Sequence, residues 1–216
     1  MAKRSLPLSS NKPLRGRPPL DDAARKRILT VTARVFLERG YEHASTAEIA
    51  RRARASKQTL YGLFPSKAEL FVAVIGAHTE ALFARHTEYI ASTQPPRDAL
   101  TGIGIELLDL FTAPRFLALY RILVAESHRF PDLARLLWDR CQIRGRELLA
   151  AYLRSRRIGG PYYDRSASKF ISFILGDYVI NAMLNPDLKL SPRIVRTRVR
   201  ETVDDFLLLC PAPKSK

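Results

Sequence analysis

The sequence predicts an all-α protein in which a small helical unit precedes a larger one. Three observations lead there. Apolar residues recur at three- and four-residue spacing through nearly every segment. Helix-ending signals cut those segments at Gly40, Pro65, Pro95-Pro96, Pro114, Pro131, Gly159-Gly160-Pro161 and Asn185-Pro186. Between residues 45 and 66, three serines stand at intervals that leave room for only two short helices. Two short helices joined by a tight turn form a helix-turn-helix, which lays its second helix into a DNA major groove.

Residues 1–20, rich in Pro, Ser, Lys and Arg, are expected to form a flexible basic arm. Within it, Arg15 and Arg17 flank a glycine and precede Pro18, giving an extended cationic element suited to a narrow minor groove. The alternative is a solvated tail. Residues 21–66 are expected to form the helix-turn-helix unit. Asp21 or Asp22 caps a first helix whose apolar face is Ile28, Val35 and Phe36, and Gly40 suits a left-handed stop. Ser45 with Glu48, and Ser66 with Glu69, have the spacing of capping boxes. Ser56 caps the second short helix and places Lys57, Gln58 and Thr59 in its first turn, where a recognition helix meets base edges. Ile49, Ala50, Ala53, Leu60 and Phe64 are spaced to lock the two helices together.

This segment resembles the DNA-binding domain of the TetR/AcrR family of bacterial transcriptional regulators. Ile28-Leu29, Phe36, Gly40-Tyr41, Thr46, Ile49-Ala50, Ser56 to Tyr61, Phe64, Lys67 and Leu70 carry the resemblance, which is strong over residues 21–75. It implies phosphate contacts from Thr46, Tyr61 and Lys67, and a following helix that connects this unit to a regulatory domain. One position departs: Arg54 stands in the turn where the family usually has a small residue, often Gly, and a left-handed conformation there costs a non-Gly residue on the order of 1 kcal/mol. Further on, Glu126 to Ala134 resembles a branch of the family whose C-terminal domain is like that of the AefR repressor.

Residues 67–216 are expected to form the effector-binding and dimerisation domain. A long amphipathic helix runs from Ser66 to about residue 91 with Leu70, Val74, Ala77, Ala81 and Phe83 inward, followed by helices near 97–112, 115–129, 132–156, 165–184 and 192–209. The helix from about Arg165 is apolar nearly all round, and the last carries an apolar stripe. A second copy of the chain is the natural cover for both, which places Phe170, Phe173, Ile174, Val195, Val199, Val203 and Phe206 at a homodimer interface; the alternative is that both are core helices of a monomer. Asp177, within the apolar run, needs a partner, either an arginine across that interface or a cationic effector. Phe111, Phe116, Tyr120, Leu123, His128, Trp138, Cys141, Tyr152 and Phe173 supply surface for an effector pocket, although each has an alternative reading as ordinary core.

The charge pattern agrees with a polyanionic partner. The chain carries 36 Lys+Arg against 21 Asp+Glu, net +15. Residues 1–75 hold 15 basic and 6 acidic side chains, so +9 of that surplus lies in the first third. Two cysteines imply no disulfide framework, and neither a signal-peptide core nor a run of about 18 apolar residues is evident, so a cytoplasmic protein without membrane association is expected. The four histidines lack metal-ligand spacing, and no phosphate-binding Gly-rich loop or Gly-x-Ser-x-Gly element occurs. No enzyme, metal or cofactor is therefore expected. The reading is a sequence-specific transcriptional regulator, a repressor released from palindromic double-stranded DNA by a small-molecule effector. The alternative is a non-specific, nucleoid-type basic protein.

Overall fold

The structure, a computed structural model, describes residues 22–185, 187–188 and 191–211. The arm with Arg15 and Arg17 lies outside the described residues. Ten α-helices make up the described chain, with one π-helical turn among them: α1 Asp22–His43, α2 Thr46–Arg52, α3 Lys57–Leu63, α4 Lys67–Ala91, α5 Pro96–Thr112, α6 Pro114–Glu126, α7 Pro131–Leu137, the π turn Trp138–Ile143, α8 Arg144–Ser155, α9 Tyr163–Leu184 and α10 Pro192–Leu209.

The first three boundaries come from local chemistry. Gly40 takes φ 73° and interrupts α1 at the expected place, a conformation that a side chain would strain. The hydroxyls of Ser45, Ser56 and Ser66 accept from the backbone N–H groups of Glu48, Thr59 and Glu69 at 3.4, 2.9 and 3.1 Å. The reciprocal half of the two capping boxes is replaced by ion pairs: Arg52 engages Glu48 at 2.7 Å, and Arg140 engages Glu69. A carboxylate with a guanidinium within reach forms two charge-assisted bonds rather than one bond to a backbone N–H.

The turn between α2 and α3 is a Schellman motif. Arg54 N–H donates to Arg51 O at 3.2 Å and Ala55 N–H to Ala50 O at 2.9 Å, with Arg54 left-handed at φ 53°. The residue that departs from the family pattern thus takes the glycine conformation without being glycine. Ile49, Ala50, Ala53, Leu60 and Phe64 are all buried, and Arg27 Nε donates to Ala53 O at 3.1 Å, tying α1 to the end of α2.

Two apolar clusters divide the interior. One joins α1–α3 and the first half of α4 to α6 and α7 through Phe36, Tyr41, Phe71, Leu119, Leu123 and Leu133. The other packs α5, α8, α9 and α10 around Leu100, Leu153, Phe170, Val203 and Phe206. Within it, a Cβ on Gly104 would lie 2.7 Å from Val199 and 2.9 Å from Ile174, so α5 must carry glycine there to approach α10 and α9. On α4, Leu70, Val74 and Phe83 are buried as expected, whereas Ala77 is exposed.

The α9–α10 expectation needs correction. Phe170, Ile174, Val195, Val199, Val203 and Phe206 are buried within the subunit itself, where α5 and α8 already cover them. Of the proposed interface residues, Phe173 alone is exposed, at 44%. The outward side of the pair instead presents Ile180, Leu184, Ile194, Leu208 and Leu209, and Asp177 is exposed rather than buried. Helix α9 has the length and apolarity of a bilayer-crossing segment, is interrupted at Gly176, and packs Phe170 and Ile174 against the rest of the subunit while its other face is exposed.

The strained turn yields the first prediction. Arg54→Gly should raise the free energy of unfolding by about 1 kcal/mol by removing the left-handed cost, while Arg54→Ala should give no gain, as measured by urea denaturation.

Candidate nucleic-acid interface and interior cavity

Helix α3 is two-sided. Leu60, with Phe64 one turn on, points inward and is fully buried, while Lys57, Gln58 and Tyr61 share the opposite, solvent-exposed side. Thr59 is half-buried, and its Oγ1 lies 2.8 Å from Ser56 Oγ. Lys57 and Gln58 therefore offer a cation and an amide at the front of α3, the groups that pair with guanine and adenine edges. Thr46 Oγ1 and Tyr61 Oη meet at 2.9 Å and bring two hydroxyls together where α2 and α3 adjoin.

Lys67 sits differently from what its position implied. Its ammonium donates to Glu42 O at 2.8 Å and lies 4.7 Å from the centre of the Tyr41 ring, and burial holds its pKa below the ordinary range. In this arrangement it braces the end of α1, and a phosphate would have to draw it away from two partners.

The same corner joins the helix-turn-helix unit to the rest of the molecule. Tyr41 is 5% exposed and packs edge-on against Phe71 of α4 and Phe130, with ring centres 5.6 and 4.9 Å apart. Beside it, both Arg129 guanidinium nitrogens engage the Glu42 carboxylate, one at 2.6 Å, and that hydrogen bonding holds the Glu42 pKa low.

Between α4, α5, α6, the π turn, α8 and α9 lies a largely apolar cavity of about 40 Å³. Four of the proposed pocket residues line it: Phe111, Phe116, Tyr120 and Cys141. The other five do not. Leu123 and Tyr152 are buried in core away from it, His128 and Trp138 are exposed, and Phe173 lies on the outer face of α9. A list of aromatic residues cannot separate a cavity wall from filled core, because both are built from the same side chains.

The wall includes residues that the sequence reading missed, above all Thr79, Phe83 and His86 on α4. With Ile75 they follow a four-, four-, three-residue spacing, so one α4 stripe turns from the first apolar cluster into the cavity. That stripe was the available signal, because metal-ligand spacing says nothing about where His86 points. His86 is 4% exposed, and neither ring nitrogen has a hydrogen-bond partner on the protein. Burial, helped by Arg85, pushes its pKa down to about 4. Its Nε2 lies 3.8 Å from Glu106 Oε2, and burial raises the Glu106 pKa.

An exposed recognition helix on a three-helix unit, joined to further helices that enclose a cavity, defines a helix-turn-helix DNA-binding regulator. Residues 28–74 match the family described as bacterial regulatory proteins, tetR family, and residues 98–209 match the AefR-like transcriptional repressor, C-terminal domain. This chain belongs to the TetR family and is a transcriptional regulator. An HTH-type transcriptional regulator of Mycobacterium tuberculosis is 30% identical over 84% of this chain and 84% of its own length. The HTH-type transcriptional activator FasR of Mycolicibacterium smegmatis is 38% identical over 79 residues, 37% of this chain and 36% of that protein. Among solved structures, the flavonoid-responsive regulator FrrA superimposes with a TM-score of 0.69 at 27% identity, covering 90% of this chain and all of that one.

The buried imidazole makes stability depend on pH. With a folded pKa of about 4 against an ordinary 6.5, the unfolded chain takes up the proton first as pH falls. The native state is therefore penalised progressively from about pH 6.5 down to 4. His78, also displaced downward by burial and by Arg115, adds in the same direction. His86→Leu should gain about 3 kcal/mol relative to the native chain between pH 7 and pH 4, measured by denaturant unfolding at each pH.

Proposed function

We propose that this chain is a homodimeric repressor that binds a palindromic operator through Lys57 and Gln58 of α3 and is released when a small effector occupies the interior cavity. The observation that carries this reading is the physical continuity between the two sites. Helix α6 presents Phe116 and Tyr120 to the cavity, while its Leu119 and Leu123 belong to the cluster that holds α1 and α4. Helix α4 runs from the base of α3 into the cavity wall. An effector that enlarges the cavity then displaces the helices on which α3 rides. A tenfold loss of operator affinity needs only about 1.4 kcal/mol of such coupling.

The AefR-like match, described as that of a transcriptional repressor, supports repression, and the flavonoid response in the name of FrrA supports control by a small molecule. A cytoplasmic protein fits both. We assign the interface to the outer face of α9 and α10, around Phe173, Ile180, Leu208 and Leu209, because exposed apolar side chains grouped on one face mark a contact surface. Asp177 and Arg198 border the same groove as Phe173 and are suited to pair between subunits. Two copies of α3 would then enter successive major grooves about 34–36 Å apart.

Selection of bound sequences from random DNA tests this reading: a palindrome is expected, and salt-sensitive binding without sequence preference would favour the nucleoid-type alternative. On the selected site, Lys57→Ala and Gln58→Ala should each cost about 1–3 kcal/mol and relax preference at one base position, with random-DNA binding retained by Gln58→Ala. For the interface, Phe173→Asp and Leu208→Asp should sediment as folded monomers with native helicity that have lost palindrome binding, since neither side chain belongs to the subunit core.

A further inference from the structure

At the cavity wall His86 is a polar group that the protein itself does not satisfy, and Glu106 stands directly behind it, outside the lining. His86, almost fully buried, offers one ring N–H and one ring acceptor, and neither is used. Glu106 Oε2 is likewise buried without a hydrogen-bond partner and stands 3.8 Å from His86 Nε2. A single oxygen can lie at ordinary hydrogen-bond distance from two atoms so separated, accepting from the imidazole and donating to the carboxylate. A hydroxyl does both, whereas an ether or carbonyl oxygen only accepts.

The surroundings define the rest of the ligand. Phe83, Phe111, Phe116 and Tyr120 line the cavity with rings, flanked by Leu82 and Leu107. Glu106 already has a counter-charge, with Arg85 Nη1 3.5 Å from its Oε1, so an incoming ion would be left unbalanced in an apolar site. An anion would also stand beside a carboxylate. We propose that the cavity takes an uncharged, planar aromatic compound bearing a hydroxyl group, with that hydroxyl held by His86 and Glu106 and the ring among the phenylalanines. This rests on the cavity being the effector site.

Size gives the proposal a mechanical side. About 40 Å³ is well below the roughly 150 Å³ cavity that holds a benzene ring, so the ligand must widen the site. Thr79, Phe83 and Cys141 line both this cavity and an open cleft between α1, α4 and the π turn, so the barrier between the two is one layer of side chains. The π turn carries Cys141 and Gln142 on that wall, and π segments inside helices are the places where a helix repacks most readily. The neutral hydroxyaromatic enters by that route, with Phe83, now under the Arg144 guanidinium at 5.1 Å, moving aside.

Calorimetric titration of the full-length chain with 2-naphthol, 2-methoxynaphthalene and 2-naphthoate tests the assignment. The expected result is one 2-naphthol per chain, bound at least about tenfold tighter than the other two, since they differ only in lacking the donor or carrying a charge. His86→Leu should remove that preference and leave 2-methoxynaphthalene within about twofold, while His86→Gln, which keeps a donor and an acceptor, should retain part of it. Equal affinity for all three compounds overturns the proposal, as does an unchanged preference in His86→Leu. No heat from 2-naphthol up to about 1 mM, the behaviour of a site that holds only water, also overturns it. The comparison among ligands uses the native chain alone, so it stands even if a variant fails to fold. Operator binding assayed on the same preparation separates the two readings: palindrome binding without naphthol binding overturns the ligand class alone, and naphthol binding without a palindrome overturns the repressor alone.

Discussion

The buried ring of Tyr41 sits where three parts of the chain meet, and the orientation of the recognition helix depends on that contact. Phe71 brings α4 to it, Phe130 brings the segment after α6, and Lys67 closes it from the start of α4. Aromatic pairs of this geometry add about 0.5–1.5 kcal/mol each beyond the area they bury. The Glu42–Arg129 and Glu69–Arg140 ion pairs are more exposed and contribute less to stability, but they fix direction. As a result α3 has no independent position: Leu60 and Phe64 seat it on the same cluster that contains Tyr41, Phe71 and Leu119.

That rigidity is what makes a small cavity matter. Packed interiors rearrange between discrete arrangements more readily than they deform continuously, so the proposed effector, if larger than about 40 Å³, would shift whole helices. The cavity wall concentrates the local irregularities suited to such a shift. It contains the π turn and an imidazole buried without a partner, features that lower stability and persist where they serve another purpose. The second apolar cluster is closely packed where Gly104 lets α5 approach α9 and α10.

Helices α9 and α10 carry two different apolar faces, and composition does not tell them apart. Phe170, Ile174, Val199 and Val203 follow the inward stripe, whereas Phe173, Ile180 and Leu208 lie between those positions on the outward side. A helix apolar all round signals that both sides need cover, but which side belongs to the subunit and which to a partner depends on where α5 and α8 lie.

What the sequence by itself determined was local. Serine caps at 45, 56 and 66, the stop at Gly40 and the inward spacing of Ile49, Ala53 and Leu60 define the helix-turn-helix, because each acts within four residues along the chain. The left-handed turn at Arg54 was legible for the same reason. Tertiary structure alone decided the rest. Whether Glu48 and Glu69 return to the backbone or pair with Arg52 and Arg140, whether Lys67 faces outward or toward Glu42, and whether Tyr152 or His86 borders empty space all depend on neighbours brought together by packing. A cavity is the volume that distant helices fail to fill, so it has no signature within any one of them.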